Sequence, residues 1–532
     1  MRLNKYIFSS LVIAGFALSS CDDYLSPTAT EYQTTDSFYS TEGQIDQALT
    51  GVYHCLLPMA LHYWYMSEVR SDNTWLQQDA ERTCYNIGFF RSLTTEDEYE
   101  SVWEDYYELI ADCNTFIEKV EDFEMTYEEA KQQYLGEVHF LRALAYFDLV
   151  RYFGNIPLVD RVMTQAEALE LGQSSPSVIY ENIILPDLEY AIENLLDEPI
   201  DYLGSTTTGH ACRIAAVALR GKVYATMAGF PVNDTSKESL ALADLKEVID
   251  YAESSGKYWA SGDGIWPHIW ISDNDNKYHI FEIQYTNGGL GLGNTMVFNS
   301  LPNINNSTRY TTVRIFGLKI FASDGLAEDF GCEMAEDTRY YGDNTKDERA
   351  AATMVFENVQ DDDGDYYNNQ LPFFWKFFEA ICKRSDLGYT DIDSSISDYE
   401  DWPIDWPIIR LEDAMLLYAE LAGPTSEAIS LVNKIRNRVG LDDLTSAETG
   451  SASAFDAAVN KERRLELCCE GQRWFDMVRR NEWEELSKAV YETRVTPTDD
   501  VPSNINSYMY YYPIPDTQIK VKDGLYTQND GY

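Results

Sequence analysis

Positive charge is scarce in this chain. Its 532 residues hold 40 lysines and arginines against 89 aspartates and glutamates, a formal net charge of -49. A surface that acidic repels nucleic-acid phosphates and anionic lipid, so nucleic acid is excluded as a partner. Histidine is sparse as well. The six present, His54, His62, His139, His210, His268 and His279, include no pair spaced as metal ligands on one helical turn. No Gly-x-Ser-x-Gly elbow occurs, and Gly289, Gly291 and Gly293 lack the spacing of a dinucleotide loop. Among 89 acids some pair lies at a glycosidase-like separation by chance, so their abundance is no argument for hydrolysis. These absences predict a protein that is not an enzyme and carries no cofactor. Long apolar runs are missing too: Tyr6 to Leu18 falls short of the about 20 residues a spanning helix needs, and no later segment comes close.

That one apolar run belongs to a different kind of signal. Arg2 and Lys5 precede it, and Leu18-Ser19-Ser20-Cys21 follows it with small residues before a cysteine. The pattern predicts a signal peptide over residues 1–20, cleavage before Cys21, and lipidation of Cys21. Residues 21–35 read as a tether, since Ser26 to about Asp36 is rich in Pro, Thr and Gln and poor in apolar residues.

From residue 36 the pattern is mainly helical, and a chain that is 45% hydrophobic can bury a large core. Apolar stripes at helical spacing run through Ile45 to Tyr53 and, at greater length, Tyr99, Val102, Tyr106, Leu109, Cys113, Phe116 and Val120. Thr126 with Glu129 predicts a capping box opening the next helix, which ends before Gly154 and Pro157. Further stripes fall at 178–196, 211–228, 238–254, 410–422 and 427–439. Alanines such as Ala143, Ala215, Ala218 and Ala414 permit close approach, which suggests paired helices of tetratricopeptide type. Between about 257 and 407 glycines, polar runs and Trp-Pro pairs break any helical period, so this stretch is expected to be loop-rich, and loops carry function. The expected organisation is thus one domain over 36–532: a helical half to about 256, an insert to about 407, and C-terminal helices. Of nine cysteines, Cys113 and Cys212 fall on helical stripes and are expected as buried free thiols, and Cys468 and Cys469 are adjacent. The acidic run Asp361 to Asp365 does not fit an EF-hand, because Val359 and Gln370 would occupy its end positions; an irregular calcium site or a solvated loop are the alternatives.

The densest information lies in Lys461 to Arg480, KERRLELCCEGQRWFDMVRR, where cations crowd among aromatics in an otherwise acidic chain. The spacing predicts two short helices joined at Gly471, with Asp476 placed to meet Arg479 or Arg480 and Arg463 to meet Glu466. A buried, charge-laced helix pair that holds the fold outweighs direct ligand contact here. This segment resembles a motif of the SusD/RagB family, surface lipoproteins that work with a TonB-dependent outer-membrane transporter. Three other segments are similar to family motifs in the family's order: Glu137 to Val159, Trp406 to Ala422 and Tyr512 to Ile519. The resemblance implies a SusD-like all-α fold with four tetratricopeptide-like hairpins, a SusC-like transporter as partner, an oligosaccharide or polysaccharide as ligand, and anchoring on the outer face of the outer membrane. Asp22 and Asp23 resemble the acidic signal that exports such lipoproteins to the surface, and as plain residues they would simply be a solvated tether.

A sugar presents apolar C–H faces ringed by hydroxyls, so its binder needs exposed aromatic rings with Asn, Asp or Arg beside them. Asp72, Asn73 and Trp75 offer that pairing in one short segment, and the resemblance points to the same stretch. Trp266, Trp270, Tyr366, Tyr367 and Trp375 add rings in the insert. Trp103 and Trp474 sit on helical stripes and read as core, and Phe373 to Phe378 reads as a buried strand. The alternative function is a peptide-capturing relative or protein-interaction scaffold, and buried rather than exposed tryptophans would favour it.

Overall fold

The computed structural model describes residues 38–76, 82–91, 93–262, 264–270, 277–300, 320–332, 345–355, 359–360, 366–367, 372–374, 376–377, 401–492 and 505–532. Cys21, the tether and the acidic run 361–365 lie outside them. Contacts divide the chain into a unit ending at Thr50 and one from Gly51 to Tyr532. Helix α1 (Glu42–His54) begins in the first, where the Gln44 side chain accepts from the Ser40 backbone at 3.2 Å and hydroxyl at 2.7 Å, and ends in the second.

The large unit is mainly helical. Its principal helices are α2 (Asp97–Glu121), α3 (Glu128–Phe153), α4 (Leu185–Asn194), α5 (Arg213–Ala228), α6 (Glu238–Ser255), α7 (Leu411–Ala422), α8 (Ser426–Arg438), α9 (Ala452–Glu466) and α10 (Arg473–Arg479). From α2 to α8 each packs on the next in chain order, and α9 packs on both α7 and α8. The α6–α7 contact means that the chain leaves the stack after α6 and returns to it at α7. Ala143, Ala215, Ala218 and Ala414 are buried at these contacts, as the close approach of helices requires. No described helix is long and apolar enough to cross a membrane.

Short strands lie mostly between α6 and α7: β1 (Thr74–Leu76), β2 (His279–Ile283), β3 (Ile320–Ala322), β4 (Met354–Val355), β5 (Val359–Gln360), β6 (Tyr366–Tyr367), β7 (Phe373–Phe374) and β8 (Trp406–Arg410). A four-stranded antiparallel sheet has the order β1-β3-β7-β4, while β8 pairs with β2 and β5 with β6. The registers place Trp75 opposite Phe321 and Phe321 opposite Phe373.

Local expectations differ from the structure in two places. Helix α3 begins at Glu128 with Tyr127 as its N-cap, one residue past the expected Thr126. The stripe 178–196 is one helical run broken by a π-turn, Tyr180–Ile184, which ends where Pro186 has no N–H to donate to an α-helical bond. The end of α3 is as expected. Gly154 has φ 71°, and a Cβ there would lie 2.7 Å from the Tyr511 ring, so only glycine lets the late Tyr512 segment close over it. Tyr512 completes that closure by bonding Tyr152 O through its backbone N–H at 2.8 Å and Met66 O through its hydroxyl at 2.7 Å.

Candidate functional site

The charged segments that stand out in the sequence meet inside the protein. The turn between α9 and α10 passes through Cys469 at φ 66° and Gly471 at φ 67°, and a Cβ on Gly471 would approach Tyr63 Cβ to 2.6 Å. Around this turn every cation has an acid. Arg463 binds both oxygens of Asp476 at 3.1 Å and Asp413 at 2.9 Å, rather than Glu466. Asp476 meets Arg479 at 2.9 Å, one of the two partners its spacing allows. Arg480 instead takes Asp456 at 2.7 Å. Glu466 sits between Arg410 at 3.1 Å, Arg438 at 2.5 Å and Arg349 at 3.0 Å. Burial alone would raise its pKa, but the guanidiniums of Arg438, Arg410 and Arg349 hold it down to about 2. Arg410 continues to Glu470 at 2.7 Å and Glu412 at 2.9 Å, and Lys376 reaches Glu470 at 2.6 Å. The groups are desolvated and paired in charge, though Asp413 Oδ1 and Arg438 Nε have no hydrogen-bond partner, and dense pairing of this kind fits a structural network.

The residues expected at a glycan site largely belong to this interior. Asp72 is 4% exposed and gripped by the Arg473 fork at 2.7 and 2.9 Å. Burial pushes its carboxyl up, and Arg464 and Arg473 bring it down to about 2. Asn73 is fully buried, donating to Glu68 at 2.8 Å and accepting from Arg464 at 2.9 Å. Trp75 is 6% exposed in β1, its ring 5.7 Å from Phe321. A recess of about 150 Å³ reaches Asp72 beside Arg464, below the roughly 300 Å³ at which ligand pockets begin. Trp266 and Trp270 are also buried, packed edge to face at 5.2 Å. Lys376 lies 4.1 Å from the Trp270 ring and Arg438 5.4 Å from that of Trp266, so these indoles wall the ion network. Rings so enclosed have no face to offer a sugar, and the expectation that Asp72, Asn73, Trp75, Trp266 and Trp270 contact ligand is corrected accordingly. Tyr366 and Tyr367 form β6, whose side chains, with Trp375, lie outside the described residues.

Among the described residues one group could meet a metal: Glu68, Cys468 and Cys469, with ligand atoms within 4.8 Å of one another. It is poorly suited to one. Glu68 already accepts from Asn73, from the Cys469 N–H at 3.0 Å and from the Gly471 N–H at 3.3 Å. The Lys376 ammonium bonds the Cys468 carbonyl at 2.8 Å, bringing a positive charge to the same spot. Burial also pushes the Cys469 thiol well up, away from thiolate. Cys113 and Cys212 are buried free thiols, as their stripes predict.

Nine of the eleven tryptophans are buried and Trp375 is outside the described residues, which leaves Trp259 as the one described indole at the surface. It follows α6, which Gly256 terminates at φ 71°, and its neighbours Tyr258 and Ala260 are both buried. Lys434 Nζ and the Arg438 guanidinium, one turn apart on α8, lie 4.6 and 4.5 Å from the ring centroid. The indole borders an open groove of about 760 Å³ between residues 259–262 and α8. Sequence reading passed over Trp259 because KYW at a helix end carries no signal of exposure; the run of Ser and Asn along α8 was the available clue.

Comparison with known proteins bears on the whole chain. The SusD family matches residues 277–532, and a family described as starch-binding and associating with outer membrane matches residues 23–225. A SusD-like protein, P38, of Formosa agariphila is 25% identical over 90% of this chain and 91% of its own. A SusD homolog from Bacteroides thetaiotaomicron shares the fold with a TM-score of 0.77 at 22% identity, over 94% of this chain and 99% of the other. Surface glycan-binding protein A from Bacteroides fluxus does so at 0.69, with 22% identity, over 92% and 100%. With the Trp406 to Ala422 and Lys461 to Arg480 segments meeting in one buried network and the two matches together spanning most of the sequence, the chain belongs to the SusD-like family.

Proposed function

We propose that this protein is a lipoprotein, anchored through Cys21 on the outer face of the outer membrane, that captures an oligosaccharide or polysaccharide and passes it to a SusC-like TonB-dependent transporter. The observation carrying this reading is the chain-long likeness to SusD-like proteins, among them one named for surface glycan binding. The name of the family matching residues 23–225 supports both a carbohydrate ligand and outer-membrane association. No covalent chemistry is involved: the buried carboxylates are engaged by arginines, which suits them to holding a fold rather than shuttling protons. The domain reading remains one domain over 36–532, its helices grouped as four tetratricopeptide-like hairpins, with Tyr366, Tyr367 and Trp375 of the insert as ring platforms for the glycan.

The test is a glycan array probed with the detergent-extracted lipoprotein, run beside a peptide array. Binding to a defined oligosaccharide supports the reading. Peptide binding with an empty glycan array would overturn it in favour of a peptide-capturing relative or interaction scaffold, the alternative that the burial of Trp75, Trp266 and Trp270 taken alone favours. A Cys21→Ala variant should leave the membrane fraction and escape externally added protease, and mild extraction of the native protein should bring down a much larger barrel protein.

A further inference from the structure

Trp259 is half-buried, held at the surface by what flanks it. The buried Tyr258 and Ala260 pin the chain on either side of it. Arg438, itself locked to Glu412 and Glu466, and Lys434 come up against the indole and fix its plane. A ring held this way loses little freedom on meeting a ligand, which favours affinity.

The opposite wall is chemically unusual for this acidic chain. Ser426, Ser430, Asn433 and Asn437 follow one another at i, i+4, i+7 and i+11, which places four uncharged polar side chains on one face of α8. Their bonding leaves complementary groups open. Asn433 Oδ1 accepts from the Leu444 N–H at 2.8 Å, which leaves its NH2 as a donor, while Asn437 gives its NH2 to Asp443 at 3.0 Å and keeps its carbonyl as an acceptor. An indole lining the same groove as paired amide donor and acceptor groups and two hydroxyls suits a pyranose, with its apolar face and hydroxyl rim. The groove's volume also falls within the range of roughly 300 to 1,000 Å³ typical of ligand sites.

We propose that the groove between Trp259 and α8 is a glycan subsite, in which a neutral sugar packs against the part of the indole that Lys434 and Arg438 leave uncovered and is read through its hydroxyls by Ser430, Asn433 and Asn437. The proposal rests on the reading that this chain binds glycans, and it names a place separate from the rings of the insert. Neutral sugars are favoured over acidic ones. Lys434 is the one cation in the groove not locked in the ion network, Glu253 lies 3.9 Å from it and Asp443 lines the same groove, and the net charge of -49 repels polyanions. A peptide helix is disfavoured, because among the described residues Trp259 and Ile429 are the groove's only large apolar side chains and helix recognition needs an apolar trough.

The experiment starts from the oligosaccharide identified on the array and measures its affinity by calorimetry for the wild type, Trp259→Ala, and Ser430→Arg, which fills the groove from an exposed position without touching the core. Both variants should bind at least tenfold more weakly while melting with the wild type. Wild-type affinity in both Trp259→Ala and Ser430→Arg would overturn the subsite while glycan binding itself stands, whereas an empty glycan array would remove the functional reading first. Acidic oligosaccharides binding more tightly than neutral ones, with loss on Lys434→Gln, would overturn the neutral assignment.

Discussion

The contact between Asp72 and Arg473 decides whether the Ser71 to Trp75 segment recognises ligand or holds the fold. Arg473→Met removes a fork that binds both Asp72 oxygens at 2.7 and 2.9 Å between side chains 6% and 5% exposed, leaving Asp72 with only Arg464 at 3.5 Å. Breaking a buried pair from one side costs about 3 to 5 kcal/mol, because the surviving charge stays desolvated. At about 2.1 cal/mol/K per residue of unfolding entropy, 532 residues give about 1.1 kcal/mol per kelvin, so the melting temperature should fall by only about 3 to 5 K. A shift that small calls for a double-mutant cycle by scanning calorimetry. Arg473→Met and Asp72→Leu should each destabilise, and the double variant should recover part of the loss, with a coupling of about 1 to 3 kcal/mol. Glycan affinity of the folded variants should match the wild type. The reasoning is refuted if Arg473→Met melts unchanged while Asp72→Leu abolishes glycan binding.

Trp75→Ala should lower stability by about 3 to 5 kcal/mol, as truncating a core aromatic does, and leave glycan affinity intact when both are measured on one preparation. Glu466 and Asp72 both have folded pKa values of about 2, below their ordinary 4.5 and 3.8, so their stabilisation is complete above those ordinary values and is lost as pH falls toward 2; an acid titration of far-UV ellipticity checks this, and Asp72→Asn should flatten it. His62 behaves in the opposite sense. Burial lowers its pKa, but bonds to Asp105 and Glu98 raise it from 6.5 to about 9, so its contribution is full below pH 6.5 and lost as pH rises through 9, a slope that denaturant titrations of His62→Gln should lack. Gly471→Ala combines φ 67° with a 2.6 Å clash against Tyr63 and should cost more than about 2 kcal/mol, whereas Gly256→Ala, left-handed at φ 71° with open space around it, should cost about 1 to 2, both read from denaturant midpoints.

Much of the helical layout was legible because amphipathic periodicity is a local property. The stripe from Tyr99 to Val120 is buried at every named position in α2, and the stripes at 211–228, 238–254, 410–422 and 427–439 become α5, α6, α7 and α8 nearly residue for residue. The break at Gly471 was legible for the same reason, since a left-handed turn asks for glycine in any context. The glycan residues were misread because residue type does not report exposure. An indole next to Asp and Asn has the same composition whether it faces solvent or, as at Trp75, lies in a sheet with its polar neighbours answered by Arg464 and Arg473 from nearly 400 residues away.

By itself, then, the sequence determined the acidic balance that turns nucleic acid away, the helical periods, the glycine-enforced turns and the motif order that marks the SusD-like family. Each follows from composition or from spacing within a few residues. Tertiary structure alone decided which acid answers which cation and which tryptophan reaches solvent. Arg463 had Glu466 one turn away yet binds Asp476 and Asp413, and Trp259 rather than Trp75 stands at the surface. Those outcomes depend on distances between segments far apart in the chain, where burial makes an unpaired charge too costly to tolerate and packing leaves room for only some of the rings inside.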